Sequence, residues 1–355
     1  MSFILFFAVL AILVLSHEFG HFIVAKKSGI RVDEFGFGFP PRLFSFKKGE
    51  TIYSINLIPF GGFVKIYGED GSTSSPQEVN DQRSFASKSV GIRALVIIAG
   101  VIFNVILAWF LISVGYLAGM PTSVGAVPPG AEINDKKVII LEVQENSPAR
   151  TAGLQPGDEL VGFNSVEEAQ KFILENKGKE TGINYKREDK ISSIKITPRV
   201  NPPAGQGAIG IAMDEIGTIK FSWYKSIWEG LKTTYFLLIA VAQSIFYFIY
   251  GAIKGTSGLD QVMGPVGIIG ITSTAAKFGF AYILGFIAML SVNLAVINIL
   301  PLPALDGGRL LFLLIEKIKG SPVSSKVSNI THGIGMALLL ILMLAITYRD
   351  ILKLI

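Results

Sequence analysis

The sequence predicts a polytopic α-helical membrane protein: about four transmembrane helices, a cytoplasmic membrane-associated β-hairpin region and one extracytoplasmic α+β domain. Three observations predict this. Half of the 355 residues are apolar and only 17% are charged, against about 25% in an ordinary soluble domain. The apolar residues are concentrated in runs near the ~20 needed to cross a hydrocarbon core. Between two of those runs, roughly 75 residues carry the strand-and-helix patterning of a single small domain.

Spans are expected over residues 1–25, 92–118, 280–308 and 330–348. The first has no basic n-region and no A-x-A-like cleavage site, so it reads as a retained helix and not as a signal peptide. Basic residues set the orientation. Lys26 and Lys27 follow span one, Lys88 and Arg93 flank the start of span two, and Arg309, Lys317, Lys319 and Lys326 lie between spans three and four. Short loops rich in Lys and Arg stay in the cytoplasm. Residues 26–91 and 309–329 are therefore expected inside, and 119–279 outside. A further apolar stretch, Leu231–Ile253, breaks the parity if it crosses. Within the linker 201–279 it is expected to lie in the interface or to be partly re-entrant, a position that suits its many aromatic residues.

The chain has no cysteine, which excludes disulfides and thiolate metal sites. Its net charge of +5 is mild and forms no dense Lys/Arg stripe. A lipid bilayer is the expected partner; nucleic acid is not.

The loop 26–91 contains TIYSINLIPFGGFVKIY, residues 51–67. Its alternation predicts strands around Gly61-Gly62, forming a hairpin that touches the membrane surface. A free strand edge there would accept an extended peptide; the plainer reading is a hairpin that pairs with itself to close the loop. The insert, residues 125–200, contains ENSPARTAGLQPGDELVGFNS. The S-P-A-x-x-A-G-L-x-x-G-D pattern resembles a bacterial PDZ domain, with Gly153 ending a short helix and Pro156-Gly157-Asp158 turning the chain into a strand. A generic α+β domain using the same turn residues is the alternative.

Ionisable side chains inside an apolar span cost roughly 2.5–3.5 kcal/mol each on insertion scales. Span one nevertheless carries HEFGH, residues 17–21. On a helix, residues i and i+4 share a face, so His17 and His21 can turn their imidazoles toward one metal ion. Glu18 lies beside them, placed as a general base toward water that the metal activates. A catalytic zinc takes three protein ligands. Without cysteine, the third is His332 or a carboxylate. His332 opens span four and reads as a polar residue at a helix end. Asp306 is the better candidate. It follows Pro301 and Pro303, which force the end of span three into extended backbone, and it lies on the same side of the membrane as His17 and His21. Asn298, near that break, could hold substrate backbone. Asn293 is left open between that and interhelical bonding. In span two, Gly100 and Asn104 read as helix packing.

Taken together, HEFGH, the GGFVK stretch, the PDZ-like insert and N-x-x-P-x-P-x-L-D-G-G resemble the site-2 intramembrane metalloproteases, of the bacterial RseP-like (regulator of sigma-E) type. The resemblance covers nearly the whole chain. It implies Zn2+ held by His17, His21 and Asp306, with Glu18 as general base. It implies cleavage of single-span membrane proteins in the bacterial inner membrane, such as anti-sigma factors or signal-peptide remnants. It further implies substrate engagement as a strand at Gly61, Gly62, Phe63 and Val64, with Asn298, and gating of a peptide or substrate ectodomain by the PDZ-like domain. Two departures stand out. Members of the sigma-E type often carry two PDZ domains where this chain has room for one, and Val101 stands where the second-span motif usually has proline. The competing classes are a membrane-anchored PDZ adaptor, which needs neither HEFGH nor Asp306, and a metal transporter, which needs a His- or acid-rich entry path that three histidines do not supply.

Overall fold

The computed structural model describes residues 2–69, 81–127, 131, 133–187, 190–203, 205–256, 258, 262–277 and 279–352; residues 70–80 of the expected cytoplasmic loop therefore lie outside the described residues. The chain divides into two compact units. The first comprises Met1–Leu111, Leu231–Thr272 and Phe286–Ile355, the second Ile112–Gly230 and Ser273–Gly285.

In the first unit, α1 (Ser2–Lys27) is one unbroken apolar helix. It ends at Gly29, whose φ of +68° is costly for any residue with a Cβ. The chain then enters β1 (Val32–Lys48), turns at Gly49-Glu50 and returns as β2 (Thr51–Ile66). One turn falls at Gly49 and a second reversal lies between Ile55 and Gly62, where Gly61 takes φ +86°, and both legs of β2 pair with β1. Glu34–Phe37 pair with Ile52–Ile55 on one side and with Gly62–Lys65 on the other. Among the described residues the 62–65 segment is thus an edge. Glu50 ties the turn to the end of α1: it accepts from Lys26 Nζ at 2.9 Å and pairs with Arg83. The Arg83 guanidinium, then Lys26, hold its carboxyl below the ordinary value.

Helix α2 (Val90–Ala118) packs on α1 through two missing side chains. A Cβ at Gly20 would lie 2.3 Å from the Ala99 carbonyl oxygen, so only glycine permits this approach. Ser16 Oγ donates to the Phe103 carbonyl at 3.2 Å nearby. At the Lys27 end, Phe22, Ala25, Ile30, Val32, Ile66, Phe85, Val96, Ile97 and Leu313 form one buried cluster joining α1, the hairpin and α2. Burying each large aliphatic or aromatic side chain from water is worth roughly 1.5–3 kcal/mol.

Five further helices follow the β domain. They are α5 (Trp223–Lys254), α6 (Pro265–Lys277), α7 (Phe280–Ile299), α8 (Asp306–Lys319) and α9 (Ser325–Leu352). Among the described residues five helices are long and apolar enough to cross a membrane: α1, α2, α5, α7 and α9. The expectation was about four. The stretch Leu231–Ile253 lies inside α5, a single helix of 32 residues with no reversal in it. The helix begins earlier than hydropathy alone suggests because Trp223–Gly230 adds aromatic and cationic residues that continue the same helical backbone. Helix α6 falls in what reads from sequence as linker; its Gly and Thr content disguises it. The Asp350 carboxylate, near the end of α9, accepts from the backbone N–H of Gly264 and Gly267 at 2.9 and 3.1 Å. It thereby satisfies the free donors at the start of α6.

The second unit holds a six-stranded sheet in the order β3-β8-β4-β5-β6-β7. Its strands are β3 (Met120–Ser123), β4 (Ile133–Val143), β5 (Glu159–Val161), β6 (Thr181–Arg187), β7 (Lys190–Ile196) and β8 (Ile211–Ile219). The sheet takes in strands on both sides of the expected 125–200. Helices α3 (Pro148–Thr151) and α4 (Val166–Glu175) are capped by Ser147 and Ser165, whose side chains accept from the N–H of Arg150 and Glu168. Val138, Ile140, Leu154, Leu160, Ile173, Ile183 and Ile209 form the core. Asp158, 1% exposed, accepts from the Gln155 N–H and from Arg187 Nε and Nη2, both at 2.7 Å. Removing one partner of such a pair leaves a buried charge short of its donors, at a cost of roughly 3 kcal/mol. Arg187→Ala is accordingly expected to speed hydrogen exchange of the β4–β6 amides by about a hundredfold. Exchange measured by mass spectrometry on the full chain checks this, with the α1 and α2 amides as internal reference.

Candidate metal centre

His17 and His21 lie one turn apart on α1, and their Nε2 atoms are 3.2 Å from each other. The rings meet edge to face, with centroids 4.7 Å apart. The third member comes from the far end of the chain. After α7 the residues Leu300–Leu305 are not extended as expected but run in bends and turns, with helix barred at Pro301 and Pro303: the Leu305 N–H donates to the Leu302 carbonyl at 3.2 Å and Ala304 adopts φ +74°. This turn delivers Asp306, the first residue of α8, to the histidines. Asp306 Oδ2 lies 3.1 Å from His17 Nε2 and 3.3 Å from His21 Nε2. The tight turn depends on Gly307 and Gly308, where a Cβ would fall 2.1 Å from the Leu300 carbonyl oxygen and 2.3 Å from that of Leu302.

Three donor atoms at the corners of a triangle with edges of 3.1–3.3 Å fit a metal. Tetrahedral zinc with bonds of about 2.0–2.1 Å separates its ligand atoms by about 3.3–3.4 Å. Asp306 Oδ2 is buried and has no hydrogen-bond partner of acceptable geometry. Among the described residues, His17, His21 and Asp306 are the group of His, Cys, Asp and Glu close enough to share an ion.

The triangle opens into a cavity of about 450 Å3 lined also by Glu18, Gly61, Gly62, Phe63, Val64 and Asn298. The residues expected as ligands, base and substrate contacts are thus all at this cavity, whereas Asn293, Gly100 and Asn104 do not line it. The edge segment of β2 lies directly against α1: a Cβ at Gly62 would meet Val14 Cγ1 at 2.8 Å and Glu18 Cγ at 3.3 Å. His332 also lines the cavity, but not as a ligand. Its Nδ1 accepts from the Ala304 N–H at 2.9 Å, bracing the turn that carries Asp306. Arg309 pairs with Glu69 at the cavity rim. Asn293 donates to the Met289 carbonyl of its own helix.

The packing reading of Gly100 and Asn104 is incomplete. Both belong to a stripe on α2, at positions 96, 100 and 104, that faces the two histidines. The Val96 carbonyl is 2.9 Å from His21 Nδ1. A Cβ at Gly100 would sit 2.4 Å from His21 Nε2 and 2.7 Å from His17 Cε1. The Asn104 amide is 3.2 Å from His17 Nδ1. The i, i+4, i+8 spacing of a glycine and a buried asparagine in an apolar span is the signal that could have exposed the stripe.

The profile of peptidase family M50 matches residues 5–342. The chain is 32% identical to the zinc metalloprotease RasP of Geobacillus kaustophilus, over 99% of this chain and 98% of that protein. It is 31% identical to the protein of the same name from Oceanobacillus iheyensis, with the same coverage. It is 30% identical to the regulator of sigma-W protease RasP of Bacillus subtilis, again over 99% and 98%.

Because Gly100 touches both imidazoles, Gly100→Ala is expected to lower zinc affinity by about 10–100-fold, although glycine ligates nothing. Gly91→Ala on the same helix, where a Cβ meets nothing within 4 Å, should bind as the wild type does. Chelator competition with the purified chain measures both.

Proposed function

Since the chain belongs to peptidase family M50, the site-2 proteases, and is a zinc metalloendopeptidase, we propose that it hydrolyses peptide bonds within or near the membrane-spanning segments of single-span proteins. The observation that carries this is the triangle of His17, His21 and Asp306 built into apolar helices beside Glu18. His17 Nε2, His21 Nε2 and Asp306 Oδ2 would hold the zinc. Bound zinc supplies Lewis acidity, activating water and polarising the scissile carbonyl. Glu18 accepts the proton of the attacking water and returns it to the leaving amine, so the nitrogen departs neutral. The substrate must first unwind, because a helical peptide bond is screened by its own hydrogen bonds. The β2 edge at Gly61–Val64 offers it replacement backbone partners, and Asn298 a further polar contact.

The basic loops place the metal centre toward the cytoplasmic face of a bacterial inner membrane. The β domain then lies outside, and its SPARTAGLQPGD turn and two capped helices support a PDZ-like module that receives a peptide or the trimmed ectodomain of the substrate. One relative's name, regulator of sigma-W protease, supports anti-sigma factors as substrates; signal-peptide remnants have the same single-span form. Helix α5 lies in the outer interface, giving four crossings. Gly264, ten residues beyond Lys254, is bonded to Asp350 at the end of α9, eighteen residues and about 27 Å from His332. That is the end of α9 remote from the metal centre. The start of α5 follows the extracytoplasmic domain, so both of its ends are outside.

Two experiments test this reading. With a tagged single-span substrate in vesicles, Glu18→Gln should retain zinc and lose about 10²–10⁴-fold in cleavage rate; a variant that cuts like the wild type would rule the proposal out. The absence of native cysteine makes the topology readable by labelling. A cysteine at Lys254 should react with an impermeant maleimide from outside, whereas reaction from the cytoplasmic side alone would make α5 a fifth crossing.

A further inference from the structure

The two histidines differ in what stands behind them. His21 Nδ1 faces the Val96 carbonyl at 2.9 Å. A carbonyl only accepts, so this nitrogen carries the proton, and Nε2 keeps its lone pair for the metal. His17 Nδ1 faces the Asn104 amide at 3.2 Å. An amide offers a donor and an acceptor. If its NH2 faced Nδ1, the neutral ring would carry its proton on Nε2, where the metal belongs.

Asn104 is 0% exposed and its Oδ1 has no partner when the NH2 faces the ring. The amide makes one contact with the ring in either orientation, so the choice between them rests on which ring nitrogen the metal needs. Rotating the amide by half a turn exchanges the two atoms. Oδ1 then accepts from His17 Nδ1–H, and His17 Nε2 is free to bind. The residue's backbone is held in place: its carbonyl accepts from the buried Ser291 Oγ of α7 at 2.8 Å.

We propose that Asn104 is a positioning residue for the metal centre: its Oδ1 accepts from His17 Nδ1–H and so fixes the His17 tautomer that presents Nε2 to zinc. With the Val96 carbonyl two turns earlier, α2 becomes the template that aims both imidazoles of α1. The inference rests on zinc being held by His17, as proposed above.

The test uses the full chain with ¹⁵N-labelled histidine, in which only three residues report, together with zinc affinity by chelator competition. Asn104→Leu keeps the volume and removes the acceptor. In the zinc-free state, with the imidazoles neutral, His17 should change from the Nδ1–H form to a mixture of tautomers while His21 is unchanged. Zinc affinity should fall about 10–100-fold. Asn104→Asp restores an acceptor at the same place and should bring both the tautomer and the affinity back to within a few-fold of wild type. A leucine variant with the wild-type tautomer or the wild-type affinity would overturn the inference, as would an aspartate variant no better than leucine. A wild-type chain that binds no zinc would overturn the metal centre itself, and this inference with it.

Discussion

Two imidazoles inside an apolar helix are tolerable only if another helix comes close enough to aim them and a carboxylate comes close enough to complete the ligand set. That double approach is the constraint on which the rest of the structure depends. The first contact is backbone to backbone: at Gly20 of α1 there is no room for a methyl group beside the Ala99 carbonyl. At the next residue of α2, Gly100 leaves the volume that the two rings occupy. The second contact is made by a turn with no freedom to relax. Pro301 and Pro303 stop the helix, Ala304 takes a left-handed conformation, and Gly307 and Gly308 let α8 fold back onto the carbonyls of 299–302. Each of these residues is small or rigid because the geometry leaves no alternative.

The hairpin answers a different requirement. A protease must hold its substrate extended, and an extended chain needs partners for alternate backbone groups. Among the described residues the 62–65 segment has β1 on one side only, and it is pressed against α1 beside Glu18. The strand edge and Glu18 therefore share one cavity with His17, His21 and Asp306. Burial around Phe22, Val32, Ile66 and Val96 ties the hairpin to both helices, so the edge moves with the metal centre and not independently of it.

Much of the site was legible in the chain of letters. His17 and His21 announce themselves by i, i+4 spacing in a span where charge is costly. Asp306 is legible because two prolines break the helix just before it. What was not legible is the contribution of α2. The Val96 carbonyl acts through the backbone, which any residue supplies, and Gly100 acts by being absent as a side chain. The same limit applies to the hairpin: its strands were readable by alternation, but the two-sided pairing of Glu34–Phe37 depends on register, which no local pattern encodes. The length of α5 was missed because Trp223, Tyr224, Lys225 and Trp228 lower its hydropathy without weakening the helix.

The central claim is that zinc is held by two imidazoles of α1 and one carboxylate from the turn after α7. X-ray absorption at the zinc edge of the purified chain tests it most directly. The account predicts a nearest shell of nitrogen and oxygen at about 2.0–2.1 Å, with outer-shell scattering from two imidazoles. A third imidazole would mean that His332 leaves Ala304 and displaces Asp306, and a single one would remove His17 or His21 from the metal; either result would contradict the centre described above.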